Sequence, residues 1–520
     1  MAQEPFDDTY SGLRRLLEVQ IARPFPRKVS LKHVVSNRIC FTAIAPESWA
    51  KGGRGCMQLD RFDVPGLSHY SYAVGSRGRL VIVDPKRDID TYLEYAAARD
   101  AKITHILETH IHADYASGAR ELAQATGAEL HLSAYDEGED YVYQFPHQPM
   151  REGDQLEIDG LAISALHTPG HTPEHLSFLL YEAGHGSHPL AMLSGDFLFV
   201  GSLGRPDLLG EASKRRLAEL LYESLHQKIR DLPDGVEIYP AHGAGSFCGS
   251  GMSDRAQSTL GYERVSNIFF GDPDKETFVH HILSTVPPFP DYYRRMKRVN
   301  SEGPKMLAGL PGGHAMEPEE FRDLMEREDA IVVDVRRPET FGGAHIPGSL
   351  GIGTGPSFVT WAAWIVPYDR PILLVAEPGI DPESARRALV RVGLDDVRGW
   401  LKGGLPAWME KGWEMAELEQ ISAAELDARR RLGTTIIDVR SDQEWAAGHI
   451  PGAIHIMGGH LSSRLEELPR DGSLHFICAT GYRSNIAASL LRRAGFSQVA
   501  NVTGGMAGWQ QRGLPVERGA

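Results

Sequence analysis

The C-terminal part of this 520-residue chain is written twice, and that duplication constrains the fold more than any other feature. Ile331-Val332-Val333-Asp334-Val335-Arg336 returns as Ile436-Ile437-Asp438-Val439-Arg440, and His345-Ile346-Pro347-Gly348 returns as His449-Ile450-Pro451-Gly452. The Asp-to-His spacing is 11 residues in both copies, and Gly403-Gly404 with Trp408 matches Gly504-Gly505 with Trp509. The period from Asp334 to Asp438, 104 residues, is too long for a solenoid unit and right for a duplicated small domain. The copies occupy 314–416 and 417–520, behind a stretch of linker composition at 301–313, SEGPKMLAGLPGG.

A single core stops growing at about 250–300 residues, so the part before the linker is a further domain, placed at 57–300. Apolar runs at 80–84, 103–108, 161–166, 176–181 and 236–239 read as strands, and 89–98, 117–125 and 214–229 carry helical spacing. Strands and helices alternate, with His-bearing polar loops at strand ends, as in a layered α/β domain. Residues 1–56 read as a peripheral extension, with a short amphipathic helix at 11–21 that Arg23-Pro24-Phe25-Pro26 breaks.

Several function classes are disfavoured at once. No apolar run approaches the roughly 18 residues of a membrane span, so no membrane partner is expected. A net charge of −15 gives no general attraction to phosphate backbones, so no nucleic-acid partner is expected either. Four cysteines, Cys40, Cys56, Cys248 and Cys478, are too few for a disulfide framework and fit a reducing cytosol. The opening MAQEPFDDTY has no basic segment followed by an apolar one, so a cytoplasmic location is expected.

Four strand ends carry metal-binding residue types. His110-x-His112-x-Asp114-Tyr115 follows the strand at 103–108, where alternate residues tend to project the same way. Thr168-Pro169-Gly170-His171, Ser194-Gly195-Asp196 and Tyr239-Pro240-Ala241-His242 each place a His or Asp just beyond an apolar segment. One such histidine alone is more often a hydrogen-bonded loop residue; four together point to a metal centre.

These residues resemble the metallo-β-lactamase superfamily over about 57–300. That family's usual motif ends in His where this chain has Tyr115. In its binuclear hydrolases that final His and the Asp help hold a second metal, and a neutral phenol with a pKa near 10 is a poor replacement at neutral pH. The segment from Asp196 through Gly204-Arg205-Pro206-Asp207 resembles the persulfide dioxygenases within the superfamily. The resemblance implies one Fe(II) per chain held by His110, His171 and Asp196, a facial set that leaves positions open for O₂ and a sulfur substrate. It also implies that His112, Asp114 and His242 orient the ligands by hydrogen bonds or are remnants of a second site. Spacing by itself would count His112 as a ligand. Arg205 is expected near the substrate, its planar fork offered to a carboxylate or oxyanion. The loop after His242, Gly243-Ala244-Gly245-Ser246-Phe247-Cys248, departs from glutathione-using relatives and resembles bacterial dioxygenase–rhodanese fusions. Cys248 there is either a sulfur relay or an ordinary small loop residue.

In the second repeat, Phe476-Ile477 leads into Cys478-Ala479-Thr480-Gly481-Tyr482-Arg483-Ser484 and a helical run. A Cys at a strand-to-helix turn meets converging N–H groups and a helix N-terminus, both of which stabilise a thiolate and a bound persulfide. Arg483 adds a cation for a sulfur anion. This loop and the repeat's landmarks resemble rhodanese, with Cys478 in the place of the nucleophile. The first repeat reads Ala376-Glu377-Pro378-Gly379-Ile380-Asp381-Pro382 at the same point. It has no thiol, two carboxylates and two prolines that remove amides, so it resembles an inactive rhodanese.

The fold expected is therefore α/β: a metallo-β-lactamase αββα sandwich followed by two rhodanese-like α/β domains. The function implied is oxidation of a low-molecular-weight thiol persulfide by O₂ to sulfite, coupled to sulfur transfer between thiosulfate and persulfide in either direction. Its partners are small molecules, namely the persulfide, O₂, sulfite and thiosulfate, and a homo-oligomer is expected. Two other readings remain: a glyoxalase II-type zinc thioester hydrolase fused to a rhodanese, and a non-catalytic sulfur sensor or carrier.

Overall fold

A computed structural model describes residues 34–37, 57–76, 78–182, 186–286, 290–310 and 313–519. The first domain stacks a seven-stranded sheet on a six-stranded one. In the first sheet, Val34–Asn37, Gln58–Val64, His69–Ser76 and Arg79–Val83 run antiparallel, and Lys102–Leu107, Glu129–Ser133 and Gln148–Met150 continue it in parallel. In the second, Gln155–Ile158, Leu161–His167, Leu176–Glu182 and Ala191–Gly195 form a meander that Glu237–Pro240 extends in parallel. Apolar side chains of both inner faces, among them Val81, Leu107, Ile163, Phe178 and Leu193, form the sandwich core. Helices Asp90–Ala97 and Ala119–Thr126 cover one outer face, and Glu211–Glu223 with Lys275–Thr285 the other.

Two departures from the sequence reading stand out. The extension contributes a strand: Val34–Asn37 pairs antiparallel with Gln58–Val64, putting Val34 opposite Phe62. The expected helix at 11–21, with Cys40 and Cys56, lies outside the described residues. The linker is not a free tether. Helix Tyr292–Glu302 runs into it, Arg87 Nη2 donates to the Lys305 carbonyl at 2.6 Å, and the Leu307 amide donates to Glu121 at 3.2 Å.

Each repeat is a five-stranded parallel sheet wrapped by helices. The orders are His314–Met316, Val397–Leu401, Ile372–Val375, Ile331–Asp334, Leu350–Gly351, and Glu419–Ile421, Val499–Val502, Leu474–Ile477, Thr435–Asp438, Ile454–His455. Ile331–Asp334 and Leu474–Ile477 are buried throughout, as β-branched and aromatic runs covered on both faces should be. The repeated motif residues act as staples. Arg336 Nη2 donates to Asp334 at 2.5 Å and to the Ala344 carbonyl at 2.8 Å, and Arg440 Nη2 repeats this with Asp438 at 2.6 Å and Gly448 at 2.7 Å. His345 and His449 each donate Nδ1–H to a carbonyl four residues earlier, on Phe341 and Trp445.

The first repeat sits on the first domain. Phe358, Val359 and Trp361 share one apolar cluster with Leu67, Tyr115, Cys248 and Tyr293. The Ala116 amide donates to the Arg391 carbonyl at 2.7 Å. The second repeat leans on the first through Tyr482, whose hydroxyl donates to the Gly353 carbonyl at 2.7 Å, and through Asn485, which donates to Gly351 at 3.1 Å. Among the described residues, no helix is long and apolar enough to cross a membrane.

Candidate functional site

His110, His171 and Asp196 come together at one end of the sandwich, all fully buried. His110 Nε2 lies 3.8 Å and His171 Nε2 3.3 Å from Asp196 Oδ2. None of these three atoms has a hydrogen-bond partner among the described residues. Their tautomers explain why. Thr109 Oγ1 donates to Asp84 Oδ2 at 2.9 Å, so toward His110 Nδ1, also 2.9 Å away, it can only accept. His171 Nδ1–H donates to the Arg205 carbonyl at 3.0 Å. Each ring therefore keeps its proton on Nδ1 and turns a bare lone pair on Nε2 toward a carboxylate oxygen. Burial, and then neighbouring imidazoles, push both histidines well below their ordinary pKa, so neither supplies a proton to fill the gap. Three converging acceptors without a donor are what a bound cation satisfies, and a two-His, one-carboxylate set fits a divalent metal.

The neighbouring candidates are tied elsewhere. His112 Nε2–H donates to Asp84 Oδ1 at 3.2 Å, so that nitrogen is spent on a carboxylate, while Nδ1 is buried without a partner among the described residues. His242 donates Nδ1–H to Asp196 Oδ1 at 2.7 Å and Nε2–H to Asp114 Oδ2 at 2.8 Å. Two carboxylates can only accept, so this ring carries both protons; burial opposes the charge, but Asp196 and Asp114 outweigh it and raise the ring to about 10. Asp114, pushed up by burial, is held at about 2 by the His242 charge. The Tyr115 hydroxyl donates to the Asp84 carbonyl at 3.2 Å. Asp114, His242 and Cys248 lie close enough to form a second ligand group, but both ring nitrogens of His242 are spent on carboxylates.

Arg205 is expected from the sequence to lie near the substrate, and the structure shows its guanidinium held by a carboxylate. Its fork closes on Asp207, Nε at 2.6 Å and Nη2 at 2.7 Å, while Nη1 donates to the Phe247 carbonyl at 3.1 Å. An acid two residues along the chain engages the guanidinium, and the backbone carbonyl of Arg205 holds His171. Cys248 is buried, 3.9 Å from the Tyr293 hydroxyl, and burial raises its thiol well above the ordinary value. A thiol so protonated is poorly suited to relay sulfur.

Sequence reasoning missed the residues that aim the ligands. Asp84 ends the apolar strand Arg79–Val83 with a left-handed φ of 50° and reaches Thr109 and His112 across the parallel neighbour. His175 Nε2 accepts from the Asp196 amide at 3.0 Å. Gly195, with φ of 56°, makes room for it, since a Cβ there would meet His175 Nε2 at 2.5 Å. Helix Tyr292–Glu302 secures the metal loop: Lys297 donates to the Ile111 carbonyl at 3.0 Å, and Asn300 donates to His112 and Tyr115 at 2.8 and 2.7 Å.

The second candidate site is the loop between strand Leu474–Ile477 and helix Tyr482–Arg493. Cys478 Sγ accepts from the Gly481 amide at 3.1 Å and from Ser484 Oγ at 3.3 Å. The carbonyls of Cys478, Ala479 and Thr480 turn outward to the amides of Met506, Ala507 and Gly504, leaving the inside of the loop to N–H groups. Gly505, φ 51°, permits this approach, because a Cβ would fall 2.3 Å from the Cys478 carbonyl oxygen. Arg483 is clamped by Glu444 at 2.7 and 2.6 Å. In the first repeat Gly404 approaches Ala376 in the same way, so the frame survives there without a thiol.

Residues 64–242 match the Metallo-beta-lactamase superfamily, and residues 317–411 and 422–512 match the Rhodanese-like domain. A metallo-beta-lactamase structure from Staphylococcus aureus subsp. aureus COL is 32% identical, with a TM-score of 0.60 over 67% of this chain and 99% of that one. The structure of ETHE1 from Myxococcus xanthus is 26% identical, with a TM-score of 0.40 over 47% of this chain and 97% of that one. A hydroxyacylglutathione hydrolase of Methylobacillus flagellatus is 34% identical over 176 residues, which is 34% of this chain and 62% of that protein, less than two thirds of its length.

Proposed function

For a chain that belongs to the metallo-beta-lactamase superfamily and carries two rhodanese-like domains behind that fold, we propose a mononuclear iron persulfide dioxygenase joined to a sulfurtransferase. The observation that carries this reading is the contrast within the metal centre. Three bare acceptor atoms converge at His110, His171 and Asp196, while both ring nitrogens of His242 are spent on the carboxylates of Asp196 and Asp114, and His112 and Asp114 keep only one bare atom each. This favours one ion at the triad, with the doubly protonated His242 opposing a second cation beside it.

Iron(II) at the triad would supply one-electron O₂ chemistry beside a coordinated sulfur. The protein's own groups do the positioning. Asp84 and Thr109 fix the proton of His110 on Nδ1, the Arg205 carbonyl does the same for His171, and the His242 imidazolium holds one oxygen of Asp196 so that the other faces the triad. The overall conversion takes a thiol persulfide, O₂ and water to thiol and sulfite, the terminal sulfur being oxidised and O₂ reduced. In the second site, the Cys478 thiolate attacks the sulfane sulfur of thiosulfate. A new S–S bond forms at Cys478, the S–S bond of thiosulfate breaks, and sulfite leaves with the electron pair. The Gly481 amide and Ser484 hydroxyl support the sulfur in that exchange. The reverse reaction would consume sulfite made at the first site.

The similarity to hydroxyacylglutathione hydrolases favours a second reading, thioester hydrolysis on two zinc ions. Metal analysis of the purified protein, with an oxygen electrode and sulfite assay on several thiol persulfides, separates the two. One iron per chain and O₂-dependent sulfite formation are expected. Two zinc ions per chain with thioester hydrolysis and no O₂ uptake would overturn the proposal.

A further inference from the structure

We propose that the cleft between the two repeats binds the α-amino-acid end of a small thiol carrier, with Arg337 of the first repeat supplying the cation. This rests on the reading that Cys478 transfers sulfur. A cavity of about 280 Å³ has Thr480, Gly481 and Tyr482 of the Cys478 loop on one side and Arg337 and Glu339 of the first repeat on the other, with Asn501 also lining it. The copy that has lost its thiol thus helps to wall the working loop of its twin.

Three features define the occupant. Arg337 is exposed and has no ion-pair or hydrogen-bond partner for its guanidinium among the described residues, whereas Arg483 of the loop is held by Glu444. Glu339, two residues on, is likewise exposed and unpaired among the described residues. Asn501 is 1% exposed; its Nδ2 donates to Gln420 at 2.8 Å, and its Oδ1 is buried without a donor. A cation suits a carboxylate, and a carboxylate that shares the cavity lining with a bare amide oxygen suits an ammonium group. Together they describe a zwitterionic amino-acid head. The cavity lies below the range of roughly 300–1,000 Å³ typical for drug-sized ligands, which favours a cysteine-like carrier over a nucleotide-bearing one. Gly481 both lines the cavity and donates to Cys478 Sγ at 3.1 Å, so one residue of the loop touches both the cavity and the nucleophile. In the transfer, the carrier thiolate attacks the outer sulfur of the Cys478 persulfide. The carrier gains an S–S bond, the bond to Cys478 breaks, and its electron pair restores the Cys478 thiolate.

The test uses the full-length protein with thiosulfate as donor and cysteine, cysteamine or cyanide as acceptor. Arg337→Ala should raise KM for cysteine by about tenfold, leave kcat within twofold, and leave the cysteamine and cyanide reactions unchanged. Arg337→Lys should recover part of the loss. Equal effects on cysteine and cysteamine, or none on either, would overturn the inference. Calorimetric titration with S-methylcysteine, which cannot react, gives a readout independent of turnover: binding to the wild type and its loss in Arg337→Ala are expected, and no binding to the wild type counts against the site. Absence of thiosulfate:cyanide transfer in the wild type would instead count against the sulfurtransferase reading.

Discussion

Arg391, on a helix of the first repeat, closes two hydrogen bonds of 2.8 Å on the carboxylate of Asp88, four residues beyond the Asp84 that steers His110 and His112. Lys86 and Arg387 each approach the same carboxylate at 3.2 Å. Burial pushes Asp88 up, but Arg391 and the other cations outweigh it and hold it well below the usual carboxylate range. One short segment, 84–88, thus serves the metal centre at one end and the domain contact at the other.

Replacing Asp88 by Asn should leave buried cations without their counter-charge. Breaking a buried pair in this way costs about 3–5 kcal/mol. The urea midpoint should fall, with the slope of the transition kept, when unfolding is followed by tryptophan fluorescence. An unchanged midpoint would show that the contact is held by apolar packing alone.

Asp84→Asn should weaken metal binding about 10–100-fold, the usual effect of losing a group that orients a ligand. The amide cannot accept from Thr109 and His112 with two equivalent oxygens, so the proton of His110 is no longer directed to Nδ1. Competition with a chelator of known affinity measures the change. Affinity equal to wild type would mean that His110 is oriented by packing rather than by the Asp84–Thr109 chain.

Cys478→Ser should abolish thiocyanate formation from thiosulfate and cyanide while metal content stays at the wild-type value, because the two sites lie in different folded units. Adding Ala376→Cys to that variant should not restore transfer. Gly404 keeps the turn, but Glu377 lies next to the introduced thiol and Pro378 offers no amide to it. Activity near wild type in the double variant would show a competent anion cradle in the first repeat.

The Arg483–Glu444 pair gives a pH signature. Burial raises Glu444, but Arg483 and the Ser441 cap outweigh it and bring it from 4.5 to about 2. A carboxylate lowered on folding stabilises the native state above pH 4.5, and the contribution is lost as pH falls toward 2. The pair is partly exposed, so its worth is under about 1 kcal/mol. Urea unfolding of wild type and Glu444→Gln should differ at pH 6 and draw together as pH falls from 4.5 toward 2. A gap independent of pH would assign the effect to packing.

Strand ends were the legible part of the sequence. A run such as Ile103 to Leu107 announces where a chain must turn, and residues placed just beyond it, like His110, face the same end of the sheet. The duplicated Asp–Arg and His motifs were equally visible, although their work is structural. What stayed hidden depends on register and distance. Asp84 meets Thr109 only because Val83 lies opposite Leu107 in the parallel pair. Asp88 and Arg391 are 303 positions apart, and no local pattern joins them. The Arg205–Asp207 pair is local by contrast, the acid lying two residues on.

The apolar cluster that joins Phe358, Val359 and Trp361 to Leu67, Tyr115 and Cys248 has a consequence for how such a chain can change over time. Without the first repeat, the metal domain would have an unfinished face, with large apolar side chains open to water at the roof of its metal centre. A lineage could discard the cysteine of that copy one substitution at a time and lose only a redundant reaction. It could not discard the copy itself without rebuilding the surface beneath it. A thiol is not needed at that place in the copy; the apolar cover that the copy provides is.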